Sequence, residues 1–324
     1  MIRWGILGAG KIAHRFAASL RRQPGSILAA ISCRSAEKAA AFAALHSVGT
    51  AYIGHNALLA DQNIDAIYLA LPHGLHKEWA VKALEAGKAV LCEKPAALNA
   101  GETRSIAGAA RSNGTLFMEA MKPRFVPLYP QVKACLASGV IGKVTAIETS
   151  YCNAMPFEKM GGTYHTQPGH GGALLDGGIY CASWLEDLLP GAPELVKVYT
   201  SVKDGIDHYT DAYLRFSGQS ARLECAFDRA RPRQAVLRGT NGSIVVEELH
   251  RPQTMTVCPD DQPPYTVTAA YEVDDFYGQI DHFVRCLEAG KTESDIMPLS
   301  ASVRCARILD AVRAGLASTV GQGS

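Results

Sequence analysis

The chain has 324 residues, 48% of them hydrophobic and 19% charged, with a net charge of +1. That length suits two domains, each able to bury its own core, and the near-even charge provides no basic field for nucleic acid or an anionic membrane. No apolar run is long enough to span a bilayer, and the nine cysteines, scattered singly without a C-x-x-C pair, fit a reducing cytoplasm.

The N-terminal MIRWGILGAG reads as a strand and a turn rather than as a signal peptide. Up to residue 122, apolar runs alternate with helical patterns. Strands are predicted at Ile2–Leu7, Ile27–Cys33, Ala66–Leu71, Ala89–Cys92 and Leu116–Met118. Helices are predicted at Lys11–Arg21, Ala36–Leu45, Leu75–Ala86 (with Gly87 as its C-cap) and Ala100–Ser112. Alternation of this kind predicts an α/β domain over 1–122, its sheet parallel and covered on both faces.

From residue 123 the order changes. Helices are predicted near Tyr129–Leu136, Ala173–Leu188, Phe276–Ala289 and Ser300–Ala314. Two-period stretches at Val144–Tyr151, Leu195–Val202, Ala212–Phe216, Ala221–Phe227, Gln234–Arg238 and Ile244–Glu247 read as strands, with a tight hairpin at Asn241-Gly242. Strands in succession predict an α+β domain over 123–324 with an open, mainly antiparallel sheet. Such a sheet leaves one face for a partner, and a homodimer through it is expected.

Gly8-Ala9-Gly10-Lys11-Ile12-Ala13 is a G-x-G-x-x-A turn between a strand and a helix, the context that marks a Rossmann dinucleotide site. Gly8 permits the turn, Gly10 admits a pyrophosphate, and Ala13 lets helix pack on strand. The helix start, at Lys11 and Ile12, then offers free N–H groups to the phosphates. An NAD site needs a carboxylate at the end of the second strand to hold the ribose 2′-OH. That stretch here is Ile31-Ser32-Cys33-Arg34-Ser35, without one. Arg34 suits a 2′-phosphate, with Ser32, Ser35 and Lys38 as nearby donors, and predicts NADP over NAD. The alternative is a solvated Arg34 in a site of dual specificity.

Other strand ends carry chemistry. Leu71 and Pro72, followed by His73 and His76, close the third strand and are candidates to border the cofactor; the competing reading of His76 is a surface residue at a helix start. Cys92-Glu93-Lys94-Pro95 places Glu93 and Lys94 at the carboxyl end of a strand, where ligands bind in open α/β sheets. Glu93 is expected to orient that loop beside the cofactor. A lysine there can polarise a carbonyl or lower a proton donor's pKa; taken alone it is more readily a surface lysine. In Gly171–Tyr180, Asp176 and Tyr180 stand i, i+4 on one helix face. The glycines of that segment cost helix propensity, roughly 1 kcal/mol each, which is easier to accept where something approaches the backbone. The competing reading is a packed helix start with Tyr180 half-buried in the core.

Taken together, GILGAGKIA, Glu93-Lys94-Pro95 and Gly-Gly-x-x-x-Asp-x-Gly-x-Tyr occur in an order that resembles the Gfo/Idh/MocA oxidoreductase family over essentially the whole chain. The resemblance is strongest to its dihydrodiol and NADP-dependent D-xylose dehydrogenase branch, through Ala70–Lys77, Val90–Pro95, Met118–Met121, Arg124-Phe125 and Gly172–Cys181. It implies that Tyr180 is the general acid/base, that Lys94 depresses its pKa from the ordinary value of about 10, and that Asp176 orients substrate or Tyr180. It also implies hydride transfer between nicotinamide and a sugar, polyol or related alcohol, with aldose oxidation at C1 as the leading substrate reading. Trans-dihydrodiol oxidation is the alternative, and a non-catalytic NADP-binding sensor is the reading from another class. Lys122-Pro123 departs from the branch pattern; Lys122 would bind an acidic substrate or be solvated. His165, His170 and Asp176 match no zinc spacing, and no metal is expected. Tyr151, Phe157, Tyr164, Phe276 and Tyr277 would line a sugar pocket or serve as core.

Overall fold

The computed structural model describes residues 1–155 and 163–320; Phe157 lies outside them. The chain divides into two compact units. The first comprises Met1–Ala97, Gly101–Phe125 and Glu272–Ser302, and the second Leu98–Ala100, Val126–Tyr271 and Val303–Ser324. Segment Glu272–Ser302 thus returns to the first unit, whereas the sequence reading runs one continuous domain over 123–324.

The first unit holds six parallel strands: β1 (Ile2–Leu7), β2 (Ser26–Cys33), β3 (Thr50–Ile53), β4 (Ala66–Leu69), β5 (Ala89–Glu93) and β6 (Phe117–Ala120). Their order is β3-β2-β1-β4-β5-β6. Every residue of β4, β5 and β6 is buried, as strands covered on both faces must be. Leu7, Ile67, Leu69, Leu84, Val90, Ile106 and Phe117 form the core with Leu299 from the returning segment. Strand β3 and the short helix His55–Ala60 escape the sequence reading. β3 is an edge strand with no buried position, so it carries no apolar run.

The returning segment is held by packing and by charge. Trp4 of β1 sits fully buried, its ring 5.3 Å from Phe16 and 5.1 Å from Phe283. Asp275 accepts from both Arg15 and Lys122, and both cations also lie over the Phe276 ring. Lys122 is therefore neither solvated nor a substrate anchor: it is buried in an ion pair. Phe276 is core, and Tyr277 belongs with it in the first unit. Burial pushes the Lys122 ammonium below its ordinary value. Burial would raise the Asp275 carboxyl, but Lys122 and Arg15 outweigh it and hold that group low.

The second unit holds β7 (Val144–Cys152), β8 (Pro193–Lys203), β9 (Ile206–Phe216), β10 (Gln219–Ala226), β11 (Gln234–Gly239), β12 (Gly242–Glu247), β13 (Thr254–Pro259) and β14 (Tyr265–Thr268). They form one sheet ordered β14-β13-β12-β11-β7-β10-β9-β8. All neighbours are antiparallel except β7 and β10. Leu214, Ala221, Ile147, Leu237, Ile244 and Val257 lie in one cross-strand row and are buried. The adjacent row carries Tyr213, Arg222 and Glu148 on the opposite face. One residue of slip would exchange the rows, which fixes the register. β13 was missed in the sequence although Met255 and Val257 point inward; β14 is an exposed edge.

Replacing Asp275 with Ala leaves Lys122 buried without its carboxylate. Urea unfolding should show a loss of about 3–5 kcal/mol, and a loss under about 1 kcal/mol would contradict this role for the pair.

Candidate active site

The sheet order places the reversal of strand order between β1 and β4, the crevice where open α/β folds bind ligands. Gly8, after β1, has φ +101°, and a Cβ there would meet the Ala70 carbonyl oxygen at 2.5 Å. Only glycine allows the loops after β1 and β4 to come so close. Gly10 is different: a Cβ on it would meet nothing within 4 Å, so the space beside it is open. Gly10 also caps helix α1 (Lys11–Leu20), which has no side-chain cap and no acidic residue in its first turn. The first bonds to Gly10 come from the amides of Ala13 and His14, leaving those of Lys11 and Ile12 without intrahelical partners. An uncapped, positive helix end beside open space fits a dinucleotide pyrophosphate.

At the end of β2, Arg34 and Lys38 are exposed, and Ser35 caps the next helix by accepting from the Lys38 amide at 3.2 Å. Ser32 corrects the sequence reading. It is fully buried, with its hydroxyl 2.7 Å from His55 Nδ1, so strand alternation turns it away from any ligand at the surface. His55 was not anticipated; burial, then the Arg34 charge, lowers its pKa.

His76 is the second correction. It is neither on the surface nor free to face a cofactor: its ring nitrogens lie 2.8 Å from the Pro95 carbonyl and 2.7 Å from that of Leu71. It ties the loop after β4 to the loop after β5. Burial lowers its pKa against the opposing pull of those carbonyls. Two buried carboxyls support the same loop. Glu93 accepts from the Tyr68 hydroxyl and from the Lys94 amide, and burial raises its pKa. Glu119 accepts from the Ala96 amide at 2.8 Å. His73 is buried, and Lys94 is half-exposed at the carboxyl edge of the sheet.

The other candidates lie in the second unit. Leu174–Gly178 is a π turn, running into helix Ile179–Leu188. A regular helix was expected throughout, so the i, i+4 stacking of Asp176 and Tyr180 is only approximate. π turns concentrate at functional sites. The glycine pair marks it: a Cβ on Gly177 would meet the Tyr151 ring at 2.5 Å, so the turn rests directly on β7. Tyr180 is buried, its ring 5.5 Å from Tyr151 and 5.8 Å from His250. Asp176 Oδ2 lies 3.9 Å from His165 Nε2, and that ring stacks on Tyr164. His170 is exposed.

Asp207 was missed, because nothing in the sequence marks one β9 residue as a helix cap. It is the acceptor for the Leu174 amide at 2.7 Å, and a Cβ on Gly172 would lie 1.9 Å from its Oδ1. It therefore anchors the start of the segment that carries Asp176 and Tyr180.

The chain is similar to known proteins over nearly its whole length. Residues 2–121 match the family model described as an oxidoreductase family with an NAD-binding Rossmann fold, and residues 129–245 match the GFO/IDH/MocA C-terminal domain. The chain is 32% identical to scyllo-inositol 2-dehydrogenase (NADP(+)) IolU of Bacillus subtilis, covering 97% of this chain and 96% of that one. It is 31% identical to trans-1,2-dihydrobenzene-1,2-diol dehydrogenase of Xenopus laevis, covering 95% and 96%. Among solved structures, KijD10, a 3-ketoreductase from Actinomadura kijaniata in complex with NADP and TDP-benzene, superposes with a TM-score of 0.88 at 28% identity, covering 97% of each chain.

Burial raises the Asp207 carboxyl to about 6. Because the folded state holds that proton more tightly, its stabilisation is full below about pH 4 and is lost as pH rises through about 6. Unfolding free energies measured across this window should lose roughly 3 kcal/mol more in the native chain than in Asp207→Asn; equal slopes would contradict the assignment.

Proposed function

Because the chain belongs to the Gfo/Idh/MocA oxidoreductase family, we propose that it is a cytoplasmic, NADP-dependent dehydrogenase of a sugar, polyol or related secondary alcohol. Aldose oxidation at C1 is the leading reaction. The observation that carries the reading is the uncapped α1 end beside Gly10, combined with a β2 terminus whose exposed residue is Arg34 rather than a carboxylate. An arginine fork suits a 2′-phosphate. The similarity to a trans-dihydrodiol dehydrogenase supports a second substrate class, a cyclic diol. Retention of both Lys94 and Tyr180 speaks against a sensor without turnover.

NADP, when bound, supplies the hydride acceptor. The Gly10, Lys11 and Ile12 backbone would hold the pyrophosphate, Arg34 and Lys38 the 2′-phosphate, and Leu71, Pro72 and His73 would border the ring. In this reaction the Tyr180 hydroxyl would take the proton from the substrate oxygen as the carbonyl forms, and a positive charge, the role proposed for Lys94, would favour the phenolate. Asp176 orients the hydroxyls of the substrate. Buried Glu93 and Glu119 keep the Lys94 loop in place.

The outer face of the eight-stranded sheet supports self-association. Val196, Tyr199, Val202 and Tyr213 are exposed there or along its β8 edge. Arg222 is bidentate to Asp211 at 2.7 and 2.9 Å, beside an open hollow of about 280 Å³ that Arg222 lines with Glu224 and Arg231. Ordered charge and exposed aromatics on one face suit a homodimer interface.

Three variants separate the roles. Tyr180→Phe and Lys94→Ala should each lower kcat by about 10²-fold or more with NADP affinity retained, and Lys94→Ala should move the pH profile upward. Arg34→Asp should weaken NADP without weakening NAD. Near-native rates in either of the first two, or unchanged NADP affinity in the third, would overturn the corresponding assignment. Light scattering at micromolar concentration should give a dimer mass, which Tyr213→Glu should halve; a monomer mass for the native chain would exclude the interface.

A further inference from the structure

In the first unit, His282, Cys286 and Asp295 bring three metal-ligating atoms within 4.8 Å of one another. His282 and Cys286 stand i, i+4 on one face of helix Tyr277–Glu288, and Asp295 comes from the loop that follows it. His282 Nε2 lies 3.3 Å from Cys286 Sγ and 3.4 Å from Asp295 Oδ1. Zinc held tetrahedrally, with bonds of about 2.3 Å to sulfur and about 2.0–2.2 Å to nitrogen and oxygen, needs such donors roughly 3.3–3.6 Å apart.

We propose that His282, Cys286 and Asp295 form a three-ligand site for a divalent transition metal, zinc above all, clamping the helix to its following loop. His282 and Cys286 are buried, whereas Asp295 is 68% exposed at its side chain, so the site opens to solvent on the Asp295 side. One nitrogen, one sulfur and one carboxylate oxygen are a donor set that suits zinc rather than magnesium or calcium. As the sulfur–metal bond forms, the Cys286 thiol gives its proton to solvent.

Two neighbours must yield. The Ser294 hydroxyl is 2.8 Å from His282 Nε2, but it also accepts from the amides of Ile296 and Met297, so it keeps those bonds when the ring turns its lone pair to the metal. Lys291 pairs with Asp295 Oδ2 at 3.4 Å, leaving Oδ1 toward His282; its exposed side chain can swing away. Arg285, the other nearby cation, is engaged by Asp281 at 3.2 Å. Among His165, His170 and Asp176 the spacing matches no zinc pattern, and this cluster lies elsewhere. His282-x-x-x-Cys286 lacks its third ligand until the loop folds back.

The test uses the full chain, stripped with a chelator and titrated with cobalt(II) or zinc(II) alone. The native protein should bind one equivalent and show a thiolate-to-cobalt charge-transfer band in the near ultraviolet. That band should vanish in Cys286→Ser. Asp295→Asn, at an exposed position, should keep the metal-free thermal midpoint and lose about tenfold or more in zinc affinity. No band in the native protein, a band that survives Cys286→Ser, or unchanged zinc affinity in Asp295→Asn would each overturn the site. Should Cys286→Ser fail to fold, the native titration and Asp295→Asn decide the matter.

Discussion

A close approach of two loops at the carboxyl edge of the parallel sheet governs the first unit. The Gly8 backbone, at φ +101°, lies against the Ala70 carbonyl so closely that no side chain fits between them. This contact brings the ends of β1 and β4 together and starts α1 at Gly10 with its leading amides facing outward. The next tie is His76, whose ring bridges the loops after β4 and β5. Glu93 and Glu119 then brace the loop that presents Lys94. Lys94 thus rides on a loop held by buried polar groups, each with a partner. A buried polar group costs little when paired and much when not.

The second unit handles the same problem with a buried carboxylate. Asp207 gives up solvation to hold the first turn of the segment bearing Asp176 and Tyr180. Gly172 and Gly177 allow β9 and β7 to press directly on that turn. The result is a π turn seated on a sheet, rather than a site on a loop. Rigid support of this kind holds Asp176 and Tyr180 in a fixed place, as the proposed proton chemistry would require.

Much of this was legible in the sequence, for identifiable reasons. Ile2–Leu7, buried except at Arg3, and Ala89–Glu93 are apolar runs, and Ala100–Ser112 has a regular helical period, so their placement follows from pattern. The G-x-G-x-x-A turn was readable because its glycines answer to local geometry. β3 and β14 were not, since edge strands bury little and carry no apolar signature. The partners of Ser32, His76 and Lys122 were hidden for another reason. Each is a polar residue satisfied by a group far away in the chain: His55, the carbonyl of Pro95, and Asp275. Such pairings come from topology, not spacing. The return of Glu272–Ser302 to the first unit was hidden likewise, because a helical pattern does not say which sheet it will cover.

Dehydrogenation by this chain is tested most directly by following deuterium from carbon to cofactor. Aldoses labelled at C1, labelled polyols and a labelled trans-dihydrodiol would be incubated with the protein and NADP, and the nicotinamide recovered. Deuterium is expected in the reduced cofactor from at least one of these alcohols, with slower turnover of the labelled substrate. Tight NADP binding with no transfer from any of them would contradict dehydrogenation by this chain.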